Sequence, residues 1–132
     1  MLSRATTTIV LNSAYFDSPA QKAPHLALPA RAPWSELHAP IAFFIGGPKD
    51  IAYAPAKENF SEIENLPVFI ANLNVGHTGA YPGPNADWTR AVLAWLDWQL
   101  KRDRQAALQF RGSKCGLCLD QRWTEVKGKN FN

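Results

Sequence analysis

Ile41-Ala42-Phe43-Phe44-Ile45 runs straight into Gly46-Gly47-Pro48-Lys49-Asp50, and that junction decides how the chain folds. Five successive apolar residues fit a strand covered on both faces, as the strands of a parallel sheet are. The glycines permit a sharp turn, the proline stiffens it, and an acid stands just beyond the strand's carboxyl end. The same order then recurs. Pro67-Val68-Phe69-Ile70-Ala71-Asn72-Leu73 runs into Asn74-Val75-Gly76-His77, which puts a base beyond the end of a second such strand.

Between the two, Tyr53 to Ile63 reads as a helix, with Ala56, Phe60 and Ile63 spaced to share one face. Upstream, Ala5 to Asn12 is rich in threonine and apolar residues and predicts a further buried strand. Asn12 to Phe16 leaves it as a loop. Prolines at 19, 24, 29, 33 and 40 then exclude a long helix, although Pro33 suits the first position of a short turn through Leu37. Downstream, Asp87 reads as an N-cap. Trp88, Ala91, Val92, Trp95, Leu96 and Leu100 follow as an apolar stripe that Trp98 widens, and Lys101 and Arg102 suit the helix's C-terminus. Asp103 to Phe110 extends the helical character, and the remainder reads as a polar, glycine-containing end. These elements predict an α/β fold of about three parallel strands with flanking helices and right-handed crossovers. Function in such sheets gathers beyond the carboxyl ends of the strands.

The 132 residues suffice for one domain, and 46% hydrophobic against 19% charged residues is a globular balance. No apolar stretch approaches the roughly 18 residues that span a bilayer, so no membrane partner is expected. The basic start at Met1-Leu2-Ser3-Arg4 lacks a long apolar core and a small-residue cleavage site, and it reads as the approach to a strand. The compartment is therefore unassigned beyond a cytoplasmic default. From Lys101 onward there are 8 basic and 3 acidic residues, against 6 and 8 in the rest. The basic residues are scattered singly and accompany no nucleic-acid module, so they read as a solvated face.

A histidine acting as a general base needs a carboxylate that fixes its tautomer and steadies the imidazolium it becomes. Asp50 and His77 suit those roles, and Gly76 and Gly79 let the backbone around His77 turn. Each residue also has an ordinary explanation, since Asp50 could cap the helix near Tyr53 and His77 could be an exposed loop residue. Their order, with one helix and one strand between them, favours the acid and base reading. His25 and His38 lie in the proline-rich connection with no matched acid. Tyr53, Tyr81 and Trp34 are loop aromatics placed to line a pocket or, equally, to pack as core.

Several segments resemble the C-terminal part of an α/β-hydrolase, in particular the dienelactone-hydrolase-like esterases. The likeness rests on A-P-I-A-F-F-I-G-G-P-K-D-I-A-Y (Ala39 to Tyr53) and P-V-F-I-A-N-L-N-V-G-H-T-G-A-Y (Pro67 to Tyr81). It extends through A-V-L-A-W-L-D-W-Q-L-K (Ala91 to Lys101) and the segment from Phe110 to Asn130. The opening T-T-T-I-V-L-N-S-A-Y-F is similar to the family strand that follows the nucleophile-bearing helix. The resemblance implies one partial domain over residues 1–132, the C-terminal half of that fold. Asp50 would be the triad acid and His77 the triad base of a serine-type hydrolase acting on a small ester or acyl substrate, with no cofactor and no metal. Thr78 stands where the family pattern has glycine.

The family's nucleophile sits in a G-x-S-x-G-like elbow ahead of the acid. Ser3, Ser13, Ser18, Ser35, Ser61 and Ser113 all lack that surround, and Cys115 and Cys118 follow the histidine, in the wrong chain order. The oxyanion-hole loop is missing with the elbow. Alone, then, the chain is expected not to turn over an ester. Cys115-Gly116-Leu117-Cys118 has C-x-x-C spacing, which fits a local disulfide, a redox pair or half a zinc site. Two rivals remain: a non-catalytic binding or interaction module on the same scaffold, and a small redox or zinc protein built on the cysteine pair. The half-fold also predicts an unpaired strand edge at Ala5 to Asn12, hence self-association or dependence on a missing N-terminal half.

Overall fold

A computed structural model of the chain describes residues 4–15, 34–79 and 86–131. Four strands form one sheet: β1 (Thr8–Leu11), β2 (Ile41–Ile45), β3 (Val68–Leu73) and β4 (Trp123–Lys129). Their spatial order equals their chain order, β1-β2-β3-β4. β1, β2 and β3 are parallel, with Thr8 opposite Ile41 and Ile41 opposite Val68, while β4 runs antiparallel to β3.

The central strands are continuously apolar because both faces are covered. On β2, Ala42 and Phe44 face one core while Ile41, Phe43 and Ile45 face the other. α1 (Tyr53–Glu62) covers the second face through Ala56, with Ile63 just past its end, and Phe60 packs partly buried beside them. α2 (Ala86–Lys101) covers the first face. There Trp88, Ala91 and Trp95 are buried among Phe44, Phe69, Phe110 and Trp123. Trp98 lies at the margin, stacked on Phe110 with ring centroids 5.7 Å apart. Leu100, expected in the apolar stripe, is instead 57% exposed.

Several sequence expectations need correction. Asp87 is not the residue before α2 but lies inside its first turn, where a carboxylate still complements the helix dipole and also pairs with Arg122. The predicted strand over Ala5 to Asn12 shrinks to four residues. It is half-buried rather than buried, because an edge strand has neighbours on one side only. The polar end, to which no element was assigned, carries regular structure. After α3 (Arg104–Ala107), capped by Asp103, and α4 (Gly116–Leu119), the chain returns as β4. A turn of 3₁₀ helix over Trp34–Glu36 stands where a short turn was expected. Among the described residues no helix is long and apolar enough to cross a membrane.

Candidate acid–base site

The loops that follow β1, β2 and β3 meet at one end of the sheet. Gly46 and Gly76 hold the second and third loops together. The Gly46 carbonyl accepts the N–H of Val75 at 3.1 Å and of Gly76 at 2.8 Å. A Cβ on Gly46 would lie 2.0 Å from the Gly76 oxygen, so no larger residue fits there. The turn over Gly47 to Asp50 closes with the Asp50 N–H donating to the Gly47 carbonyl, and Gly47 takes a left-handed φ of 82°.

This turn aims the Asp50 carboxylate inward. Its side chain is wholly buried, and its Oδ2 accepts the Gly46 N–H at 2.8 Å. Oδ1 accepts the Ala52 N–H at 3.0 Å and faces His77 Nδ1 at 2.7 Å. A buried carboxylate with three close partners is well compensated for its lost hydration. It accepts only, so Nδ1 carries the proton and the Nε2 lone pair is left available. The His77 side chain remains 42% exposed, so the ring is held at one nitrogen and open to solvent elsewhere. Such an imidazole can take a proton at Nε2 while the carboxylate steadies the resulting charge.

The helix-capping alternative for Asp50 does not hold: the residue before α1 is Ala52, and Asp50 Oδ1 accepts the Ala52 N–H within the turn, not an N–H of the helix itself. One side chain thus braces the turn and orients the histidine. Sequence reasoning missed a third participant. Asn12, buried at the end of β1 with φ 46°, donates from Nδ2 to the His77 carbonyl at 2.8 Å. Its Oδ1 is buried without a partner. The signal was an asparagine ending a β-rich run, where its tolerance of left-handed φ is useful.

Other expected residues lie elsewhere. Tyr53 donates to Glu125 on β4, and Trp34 donates from Nε1 to Glu62 at 2.8 Å. Tyr81 and His25 fall outside the described residues, as do Ser3 and Ser18. Ser61 bonds the Glu58 carbonyl within α1, and Ser35 lies in the 3₁₀ turn. Ser13 lines a groove of about 340 Å³ with Val10, Tyr15 and Trp34. Among the described residues no hydroxyl or thiol bonds His77. Two clefts of about 870 and 970 Å³ are lined by neither Asp50 nor His77.

Cys115 and Cys118 are joined by a disulfide at the start of α4. Cys115 is buried against the core beneath α2, which gives the pair a packing role. Among the described residues no cluster of three or more His, Cys, Asp or Glu could hold a metal ion. No family model matches the chain, and no curated protein is similar to it.

Proposed function

We propose that this chain carries the acid and base of a serine-type acyl hydrolase of the α/β-hydrolase kind and is inactive without a nucleophile from outside these 132 residues. The observation that carries this reading is the 2.7 Å contact between His77 Nδ1 and the buried Asp50 carboxylate, beyond the ends of adjacent parallel strands. In the completed site His77 Nε2 takes the proton of a serine hydroxyl as it attacks a small ester or acyl substrate. The same nitrogen then returns the proton to the leaving group. Asp50 holds the ring in the productive tautomer and stabilises the imidazolium between those steps. The chemistry so read uses no cofactor and no metal.

The test has two arms. Hydrolysis of a short-chain p-nitrophenyl ester is measured for the chain alone and for the chain joined to a strand–G-x-S-x-G–helix segment. The proposal expects no His77-dependent rate in the first arm. In the second it expects a rate that His77→Ala and Asp50→Asn each remove. A His77-dependent rate from the chain alone would reveal an internal nucleophile. Failure of every folded, joined form would instead favour a non-catalytic module on the same scaffold.

A further inference from the structure

On the α1 face of the sheet, away from the acid and base, Lys57, Phe60 and Ser61 of α1 face Ile70 and Asn72 of β3 and Glu125, Lys127 and Lys129 of β4. Together they line a cavity of about 350 Å³. That volume is at the small end of the range for small-molecule sites. Asn72 is fully buried, and neither its Nδ2 nor its Oδ1 has a hydrogen-bond partner. A carboxamide sealed from water with both ends unpaired is costly to the fold, and such groups are ordinarily satisfied by something.

The cavity is also charged. Three ammonium groups stand against one carboxylate. Lys57 is paired with Glu125 at 2.7 Å. Lys129 donates to the Ser61 carbonyl and rests over the Phe60 ring. Lys127 acts on Glu125 through its charge alone, without a direct bond among the described residues. The arrangement is set by a β-bulge. Ile70 pairs with Lys127 but Asn72 with Thr124, so β4 carries one extra residue, and Glu125 there has φ 50°. The bulge turns Glu125 toward Tyr53 and Lys57 and leaves the lysines alongside the cavity.

We propose that this cavity binds a phosphate-class oxyanion. The net positive charge of the lining matches a phosphate group, which carries close to two negative charges at neutral pH. Hydrogen phosphate also supplies both things Asn72 lacks, oxygens to accept from Nδ2 and an O–H to donate to Oδ1. A hydroxylated organic phosphate offers the same two groups. A simple carboxylate or sulfate offers acceptors only and leaves Oδ1 unpaired. Because Asn72 is covered, binding draws aside the long side chains of the rim.

The experiment titrates the purified chain with inorganic phosphate, glycerol 2-phosphate and sulfate at constant ionic strength. The Asn72 side-chain amide is followed by NMR, with thermal midpoints alongside. Phosphate is expected to shift the Asn72 amide and raise the midpoint, with sulfate roughly tenfold weaker for want of a donor. Lys127→Gln, which breaks no hydrogen bond or ion pair among the described residues, is expected to weaken phosphate binding roughly tenfold. Tighter binding of the ester would identify an organic phosphate as the ligand, and tighter binding of the free ion the reverse. Equal responses to phosphate and sulfate, an unmoved Asn72 amide, or an unaffected Lys127→Gln variant would each overturn the proposal in favour of trapped water.

Discussion

Asp50 bears two loads at once, and substitutions separate them. Asp50→Ala strips the acceptor from the buried N–H groups of Gly46 and Ala52 as well as from His77. At about 1–3 kcal/mol for each orphaned donor, we expect a loss of about 3 kcal/mol in urea unfolding. His77→Ala removes a half-exposed side chain while Asp50 keeps both backbone partners, so its cost should stay near 1 kcal/mol. Equal losses from the two would show that the histidine, not the turn, is what the carboxylate supports. Gly46→Ala should be more damaging than either, because its Cβ would meet the backbone of Gly76, which cannot swing away. Asp50 and His77 were legible as a pair because each stands in the loop that follows an apolar run. Asn12 was not, since its bond to the His77 carbonyl spans 65 positions and leaves no local trace.

Elements were legible in proportion to how evenly they are buried. β2 and β3 begin and end where their apolar runs do, because all of their residues are buried. β4 escaped notice because of its seven residues only Trp123 is buried, and the bulge breaks the alternation that marks a one-sided strand. Its attachment to α1 relies on charge instead. The Glu125 carboxyl is held below its ordinary range, chiefly by the hydrogen bond from Lys57 and then by that from Tyr53. A depressed carboxyl contributes stability above its unfolded range and loses it as the pH falls through the folded one. We therefore expect the acid limb of a stability profile to flatten in Glu125→Gln, and the far alkaline limb to flatten with it, because Glu125 in turn holds the Lys57 ammonium above its ordinary range. An unchanged acid limb would assign that limb to other carboxylates. On the opposite face α2 depends on packing. Trp95 is fully buried against Phe69 and Phe110 and donates from Nε1 to Thr7 at 2.8 Å. Trp95→Ala should cost about 3–5 kcal/mol and lower the thermal midpoint accordingly.

At the scale of the whole molecule, the sheet has two edge strands among the described residues, β1 and β4, and β1 is the short apolar one. Thr8 and Asn12 donate their N–H groups to Pro40 and Phe44 of the neighbouring chain segment. In a parallel ladder alternate residues bond to the same neighbour, so the N–H groups of Ile9 and Leu11 point the other way. An outward row of donors on a half-buried, uncharged strand is a template for another strand. Leu93 and Leu100, more than half exposed on α2, add apolar surface to the same molecule. An open edge at this strand was expected from the sequence, but not its shortness, because the apolar run does not reveal which residues will find a partner. We expect the purified chain to associate as its concentration rises, seen as an increasing mass in light scattering. Hydrogen exchange should locate the contact. Thr8 and Asn12 should be protected at every concentration, while Ile9 and Leu11 should exchange quickly in dilute solution and slow as the mass rises. A monomer at all concentrations, unfolding in one cooperative step with Ile9 and Leu11 already protected, would show that the edge is covered from within the chain. The case for a missing neighbouring strand would then fail.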